Sequence, residues 1–341
     1  MIKLHGKTIQ PEKLQLSILH DLHAYQKKVE NRAKVYSKLA DIHIEKCYIC
    51  GNTGKTKPIA RIYGFEYVTC ERCTHVYATF RLSQKSLNAF YKENEEYAKT
   101  YTNKEQVKYR AEHIAKPKVE YVMRYADSKG RGSRKTWLDV GCGIGDVLWA
   151  VEKHKGWKGT GVEISTVSAD QGKKLFGVDI RKQLLTDFFL ENPSQKFDAI
   201  SFFGYFGLIS EPMEELALAA KHLKKGGCII VGEENAHSLS TIVQQSYPNF
   251  TSRHLIPPNV IHQFTEKSLQ KGLSNIGFKP LSIWNFGLDF YECMKFMVLL
   301  EKDFQNTPLY TFFMKNINAF QSVVDAMDMG DYMVVIAREK H

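Results

Sequence analysis

No stretch of this chain approaches the roughly 18 consecutive apolar residues of a membrane-spanning helix. The first residues, MIKLHGKTIQPEKL, lack the apolar core of a secretory signal, so the expected compartment is the cytoplasm. Internal repeats and low-complexity tracts are absent as well. Cysteine is sparse and odd in number: seven, of which four fall in two CxxC pairs, a usage that favours metal binding over disulfides in a chain without an export signal. The other three, Cys142, Cys228 and Cys293, sit in apolar or glycine-rich surroundings and are expected as reduced thiols.

With 341 residues there is room for two domains, and 43% hydrophobic against 25% charged residues permits a sizeable core. The formal charge of +10 raises the local concentration of any anion, whether nucleic acid, a phosphorylated sugar or an acidic membrane surface, and does not choose among them.

Leu14, Ile18, Leu22, Tyr25, Val29 and Tyr36 are spaced as the apolar stripe of one or two helices between Pro11 and Ile44. Such a stripe needs cover, from the rest of the chain or from a second subunit in a homodimer. The paired cysteines occupy Cys47 to Thr79, and helical periodicity returns from Ser83 to Ala126, broken at Pro117. The segment DSKGRGSRK, Asp127 to Lys135, reads as an exposed linker. Four regions result: a helical segment over 1–46, a cysteine module over 47–80, a helical connector over 81–134 and a larger domain over 135–341. In the last, short apolar runs alternate with helix-length segments: TWLDV, GTGVEI, FDAISFF, CIIVGE, then runs near Lys279–Trp284 and Tyr332–Ala337 with two helices between them. That alternation predicts an α/β fold, a parallel sheet with crossover helices.

The densest signal is LDVGCGIGD, Leu138 to Asp146, where an apolar strand ends in Asp139 and runs into Gly141, Cys142, Gly143 and Gly145 ahead of a helix. Glycines let the backbone turn sharply and lie against a ligand at the carboxyl end of the first strand, where open parallel sheets bind. The spacing is GxGxG, and an acidic residue two positions before the first glycine suits a cationic amino group and would repel a pyrophosphate. Glu163, 18 residues beyond Gly145, ends the second strand, where a carboxylate can accept both hydroxyls of a ribose.

On these residues the chain from Lys135 to Lys340 resembles the class I S-adenosylmethionine-dependent methyltransferases: DVGCGIG matches the cofactor loop, Glu163 the ribose acid, KFDAISFF and LKKGGCIIV the fourth and fifth strands, YMVVIAREK the last. The resemblance implies a Rossmann-like, seven-stranded domain and S-adenosylmethionine as cofactor. Gln183 or Asp187 would meet the adenine, and Phe203 would line the pocket.

CYIC (Cys47, Cys50) and CERC (Cys70, Cys73) lie 19 residues apart, the spacing of a tetrahedral four-cysteine zinc ribbon. Four thiolates leave no position for water, so the ion would be structural, and its binding free energy would serve folding. Followed by the helix SQKSLNAFYKENEEYAKTY, the ribbon extends the resemblance to a bacterial family tied to sugar and surface-polysaccharide methylation, implying a nucleotide sugar or glycan acceptor.

Many relatives carry a Glu-His pair after the fourth strand; counting back from Pro212 puts Gly207 and Leu208 there, so the usual base is missing. His262, before the helix start at Thr265, is the leading candidate for general base, then His254, with Tyr205, Glu233 and Asn235 as groups that orient the acceptor. The second reading is an RNA or DNA methyltransferase using the ribbon and the basic helices on a phosphate backbone. Against it, the chain has no NPPY-like motif and no pair of catalytic cysteines for base chemistry. A non-catalytic scaffold is the third.

Overall fold

The computed structural model describes residues 1–14, 22–93, 103–126, 134–248 and 254–340. The expected linker at Asp127–Lys135 lies almost wholly outside these, as do parts of the helical stretches expected over Pro11–Ile44 and Ser83–Ala126.

The chain opens with a strand, β1 (Ile2–His5), then a helix, Leu22–Ser37, and β2 (Ile42–His43). The cysteine module supplies β3 (Thr56–Ile62), β4 (Phe65–Cys70) and β5 (Val76–Ala78), with β6 (Phe80–Arg81) pairing back onto β2. The larger domain supplies β7 (Lys135–Val140), β8 (Trp157–Val162), β9 (Ile180–Arg181), β10 (Phe197–Phe203), β11 (Leu223–Glu234), β12 (His262–Gln263), β13 (Phe278–Phe286) and β14 (Tyr332–Glu339). The main sheet runs β1-β13-β14-β11-β10-β7-β8-β9, all parallel except β14. Seven of these strands are those of the expected domain. The eighth is β1, which the sequence pattern places in a helical segment. It is a mostly exposed edge strand held by backbone pairing, Ile2 opposite Ser282 through His5 opposite Asn285, so it carries no apolar signature.

Central strands read as near-continuous apolar runs because both faces are covered. Helices Leu185–Glu191, Pro212–Lys221 and Glu266–Asn275 bury Phe188, Phe189, Leu216, Leu269 and Leu273 on one face. Tyr121, Val122, Val147 and Val151, from Lys116–Ala126 and Asp146–Glu152, cover the other. Between β13 and β14 stand three helices, Asp289–Leu300, Pro308–Lys315 and Ile317–Ala326, and a 3-10 turn, where the sequence predicts two helices. Cys47, Ile49, Val68, Cys70, Cys73 and Tyr77 belong to the first core, so the cysteine module is continuous with the sheet's hydrophobic layer. Its four-stranded sheet, β12-β5-β4-β3, borrows β12 from the larger domain. The stripe on Leu22–Ser37 is covered within the chain, where Tyr36 meets Phe90 edge to face at 5.1 Å.

The helix capped by Asn103, whose side chain accepts from the N–H groups of Glu105 and Gln106, runs on to Ala126. Pro117 does not break it. A wide π turn over Ala111–Ala115, in which the Lys116 N–H reaches Ala111, takes up the misfit of a ring that lacks its donor.

Gly172, in the helix Thr166–Phe176, lies directly on the glycine loop: a Cβ there would meet the Ile144 carbonyl oxygen at 2.3 Å. Alanine normally gains about 1 kcal/mol over glycine inside a helix, but this neighbour is backbone and cannot yield. Gly172→Ala is therefore expected to destabilise by about 1–3 kcal/mol, read as a lower urea midpoint; an unchanged or higher midpoint would refute the contact.

Candidate active site and four-cysteine cluster

Every strand end that carries chemistry lies on the carboxyl edge of the sheet. After β7 the loop turns through Gly141 (φ 65°), Gly143 and Gly145 (φ 74°) into the helix Asp146–Glu152. At Gly141 a side chain is excluded outright, since its Cβ would sit 2.4 Å from the Tyr205 ring; at Gly145 it would strike Val178 at 2.7 Å.

Glu163 shapes this loop from the end of β8. Its carboxylate accepts the Gly143 N–H (2.9 Å) and the Ser165 N–H (2.7 Å). Burial nonetheless raises its pKa, with those N–H groups opposing the rise. Asp139 is more deeply buried, 2% exposed. The Trp137 indole N–H donates to Ser201 Oγ (2.7 Å), which donates to Asp139 Oδ1 (2.5 Å). Burial pushes this carboxyl up to about 8, and Ser201 only partly offsets it.

Two cavities flank Gly141 and Phe203. The larger, about 830 Å³, is walled by Glu163, Ile164, Gln183, Leu184 and Tyr205 and roofed by Gln84, Asn88 and Tyr91 of the helix Gln84–Glu93. The second, about 560 Å³, holds Asp139, Cys142, Gly143 and Asp146 against Arg110 and Lys118. A ligand spanning both meets a carboxylate for vicinal hydroxyls, apolar walls for a flat ring, and a buried carboxylate for a cation. A third cavity, about 600 Å³, continues past Arg110, Ile114 and Lys118 to Glu234, Asp331 and Tyr332.

Gly141, Cys142, Gly143, Glu163, Gln183, Phe203 and Tyr205 thus border the first two cavities, as does Asp139, while Gly145 turns the loop behind them. Asp187 does not line them; it is exposed in the helix Leu185–Glu191. Tyr205 donates its hydroxyl to Glu215 (2.7 Å), and burial raises both groups, Glu215 to about 7. Glu233 faces inward and accepts the N–H groups of Tyr205 (2.8 Å), Phe206 (2.7 Å) and Gly207 (3.3 Å), fixing the turn that lays Tyr205 over Gly141. Asn235 donates to the carbonyls of Asp328 and Gly330 and is equally committed.

His262, expected as the base, borders none of the three cavities. It is 1% exposed within β12, its Nδ1 3.1 Å from His75 Nε2 and its ring edge-on to Tyr48. Burial, then His75, holds its pKa well below the usual histidine value. Pairing of β12 with β5 turns this side chain into the seam between the two sheets. His254, at φ 65° and 3% exposed, lies behind the third cavity, 3.8 Å from Glu234 and 3.7 Å from Asp331. The residues that sequence reasoning misses are Ser201, whose signal is a lone hydroxyl inside FDAISFF, and Arg110, Lys118 and Glu234, which nothing distinguishes from other surface charges.

In the cysteine module two similar knuckles face each other. Cys47 and Cys70 each accept a backbone N–H, from Gly51 and Thr74 (both 2.8 Å), at residues in the left-handed region. The four Sγ atoms lie within 4.8 Å of one another, Cys47 to Cys73 at 3.5 Å and Cys50 to Cys70 at 3.6 Å. Metal–sulfur bonds of about 2.3 Å in a tetrahedron put sulfurs roughly 3.8 Å apart, so the set fits one ion. His75 is occupied with His262, and His43 meets Phe80 edge to face at 4.8 Å.

The fold and the loop define a class I methyltransferase. A family model described as a methyltransferase domain matches residues 106–283, and the chain belongs to that family; it is an S-adenosylmethionine-dependent methyltransferase. No curated protein matches the chain. Among solved structures it is similar to a SAM-dependent methyltransferase from Archaeoglobus fulgidus (19% identity, 67% of this chain and 93% of that one, TM-score 0.43). It is also similar to a magnesium protoporphyrin IX methyltransferase from Synechocystis PCC 6803 with bound SAH (13%, 76% and 100%, TM-score 0.47). A third is a SAM-dependent methyltransferase from Geobacter sulfurreducens (14%, 66% and 91%, TM-score 0.37).

A carboxyl raised to about 8 is protonated at neutral pH until a cation enters, and then releases its proton. Affinity for S-adenosylhomocysteine should therefore climb between about pH 6 and pH 8 and level off above. Asp139→Asn should bind about tenfold more weakly or worse at the upper end and show no such climb. With its folded pKa raised above the ordinary carboxylate value, Asp139 costs stability increasingly as pH rises from about 4, and in full above about 8, so the ligand-free variant should melt at a higher temperature than the wild type at pH 8. Calorimetric titration and melting curves check both; a parallel pH profile in the variant would remove Asp139 from the site.

Proposed function

We propose that this methyltransferase methylates an oxygen or carbon of a small, polar, anionic acceptor, a nucleotide sugar or polysaccharide intermediate, and that a structural zinc ion holds its cysteine module. The observation that carries the reading is the third cavity, which prolongs the cofactor pocket and ends in the carboxylates of Glu234 and Asp331. Carboxylates at the far wall suit a polyhydroxylated molecule.

Glu163 takes the ribose hydroxyls, Gln183 and Leu184 border the adenine, Phe203 stands between the two halves of the pocket, and Asp139 takes the methionine ammonium. Cofactor bound in this way supplies an activated methyl group. The protein's work is then to align the acceptor and accept its proton. Glu234 is the group placed for that. It lines the cavity, receives the Gln263 amide N–H at 3.2 Å and has His254 behind it. His254 acts through Glu234 as a positioning residue, and its left-handed backbone is the strain that such sites hold.

In assays with nucleotide sugars as acceptors, Glu234→Gln should lower kcat by about a hundredfold, the scale of a lost general base, with S-adenosylhomocysteine affinity unchanged. Unaltered turnover would sink the assignment. Native mass spectrometry should count one zinc per chain, lost together with several degrees of melting temperature in Cys50→Ser; a metal-free protein of the same stability would refute the zinc.

A further inference from the structure

The larger cavity is walled by the methyltransferase domain but roofed from outside it. The helix Gln84–Glu93 precedes the matched residues 106–283 and brings Gln84 and Asn88, four positions apart on one helical face, to the cavity. Its start is tied down. Arg81 donates to Tyr48 Oη (2.8 Å) and pairs with Glu211 (3.3 Å). Next to Glu211, the buried Ser210 donates both its backbone N–H (3.0 Å) and its hydroxyl to Gln84 Oε1.

This contact fixes a polarity. A backbone N–H only donates, so the oxygen of the Gln84 carboxamide has to face Ser210, and its nitrogen faces Asn88, donating to Asn88 Oδ1 at 2.7 Å. Asn88 thereby has its oxygen used and its NH2 left over. That nitrogen has no hydrogen-bond partner among the described residues, and the side chain borders the cavity. Gln183, a carboxamide on the same cavity, has no such anchor: its side chain makes no hydrogen bond among the described residues, so it turns to donate or accept as a ligand requires. Purine bases differ in the same respect. N1 of adenine accepts a hydrogen bond, whereas N1 of hypoxanthine carries a hydrogen and donates one. With the ribose held at Glu163, a purine turns the edge opposite its glycosidic bond, N1 and the group on C6, toward the far part of the cavity.

We propose that Asn88 reads the base of the cofactor's nucleoside by donating from Nδ2 to N1 of adenine, with Gln84 and Ser210 as the positioning residues that set its polarity. The proposal rests on the reading that the larger cavity holds the cofactor's adenosine. A helix outside the methyltransferase segment is then the specificity element. Its fixed donor pairs with adenine and meets the N1–H of hypoxanthine donor against donor, which leaves both groups unpaired out of water.

The test is calorimetric titration of the full chain with S-adenosylhomocysteine and with S-inosylhomocysteine, its hypoxanthine counterpart, for the wild type, Asn88→Asp and Gln84→Glu, each checked for folding by its melting curve. The wild type should bind S-adenosylhomocysteine tighter by about tenfold or more, the scale of one mismatched buried hydrogen bond. Asn88→Asp puts an acceptor where the donor stood and should abolish or reverse that preference. Gln84→Glu leaves Asn88 in place but gives it an acceptor to face, so Asn88 turns its NH2 to position 84 and its oxygen to the cavity. The preference should shift in the same direction, again by about tenfold. A role in packing alone would lower both affinities together and keep their ratio. Should Asn88→Asp not fold, the ratio in Gln84→Glu carries the test. A ratio that stays at the wild-type value in either folded variant overturns the proposal, as does a wild type that binds the two compounds alike. Tight S-adenosylhomocysteine binding with an unchanged ratio defeats Asn88 alone, whereas a wild type that binds neither compound defeats the cofactor reading as well.

Discussion

Removing carboxylates from water at the carboxyl edge of the sheet is the constraint around which the molecule is arranged. A buried carboxylate without partners costs several kcal/mol, and three acids on this edge meet that cost in different ways. Glu233 accepts three backbone N–H groups and shapes the 205–207 turn, although burial outweighs them and raises its pKa to about 8. Glu163 is satisfied by two and keeps a face on the cavity. Asp139 has the Ser201 hydroxyl alone. The fewer the internal donors, the more the group depends on something arriving from outside, and the order Glu233, Glu163, Asp139 ranks the acids from structural to receptive.

What could be read in advance follows from which signals are local. The glycine trio, Asp139 and Glu163 lie within one strand-loop-helix-strand unit, where spacing dictates position. The central strands announce themselves because two-sided burial demands apolar residues throughout. β1 stays silent because an exposed edge strand needs only its backbone. His262 misleads for a related reason: its place before the Thr265 cap fits an active-site loop, but two residues of cross-strand pairing with β5 carry it to His75 instead. Asp187 differs from Gln183 by four positions and lies on the solvent side of a helix start. The Trp137–Ser201–Asp139 chain joins residues more than sixty positions apart, and no window of sequence contains it; Arg110 and Lys118 share one helix, but their meeting with the glycine loop is a contact between distant segments.

The cysteine module shares its core with the sheet. Cys47, Cys70 and Cys73 are buried in the same cluster as Leu216, Phe264 and Leu269, and β12 belongs to the module's sheet while its chain neighbours, Ile261 and Phe264, bond to Gly207 and Ala236 of the larger domain. The four-cysteine cluster is therefore packed in one core with a strand whose flanks bond to the turn beside the larger cavity.

The wide turn at Ala111–Ala115 has a further effect. Arg110, Ile114 and Lys118 are four positions apart, and in a regular α-helix each step of four drifts by about 40°, or about 80° between the two cations. Widening one turn absorbs the drift and brings all three to the same wall. The turn is in effect a phase corrector: gaining or losing one residue there would rotate everything ahead of it by about 100°. Segment length at this point, independent of side-chain identity, thereby sets whether the cavity is lined by charge or by the apolar back of the helix.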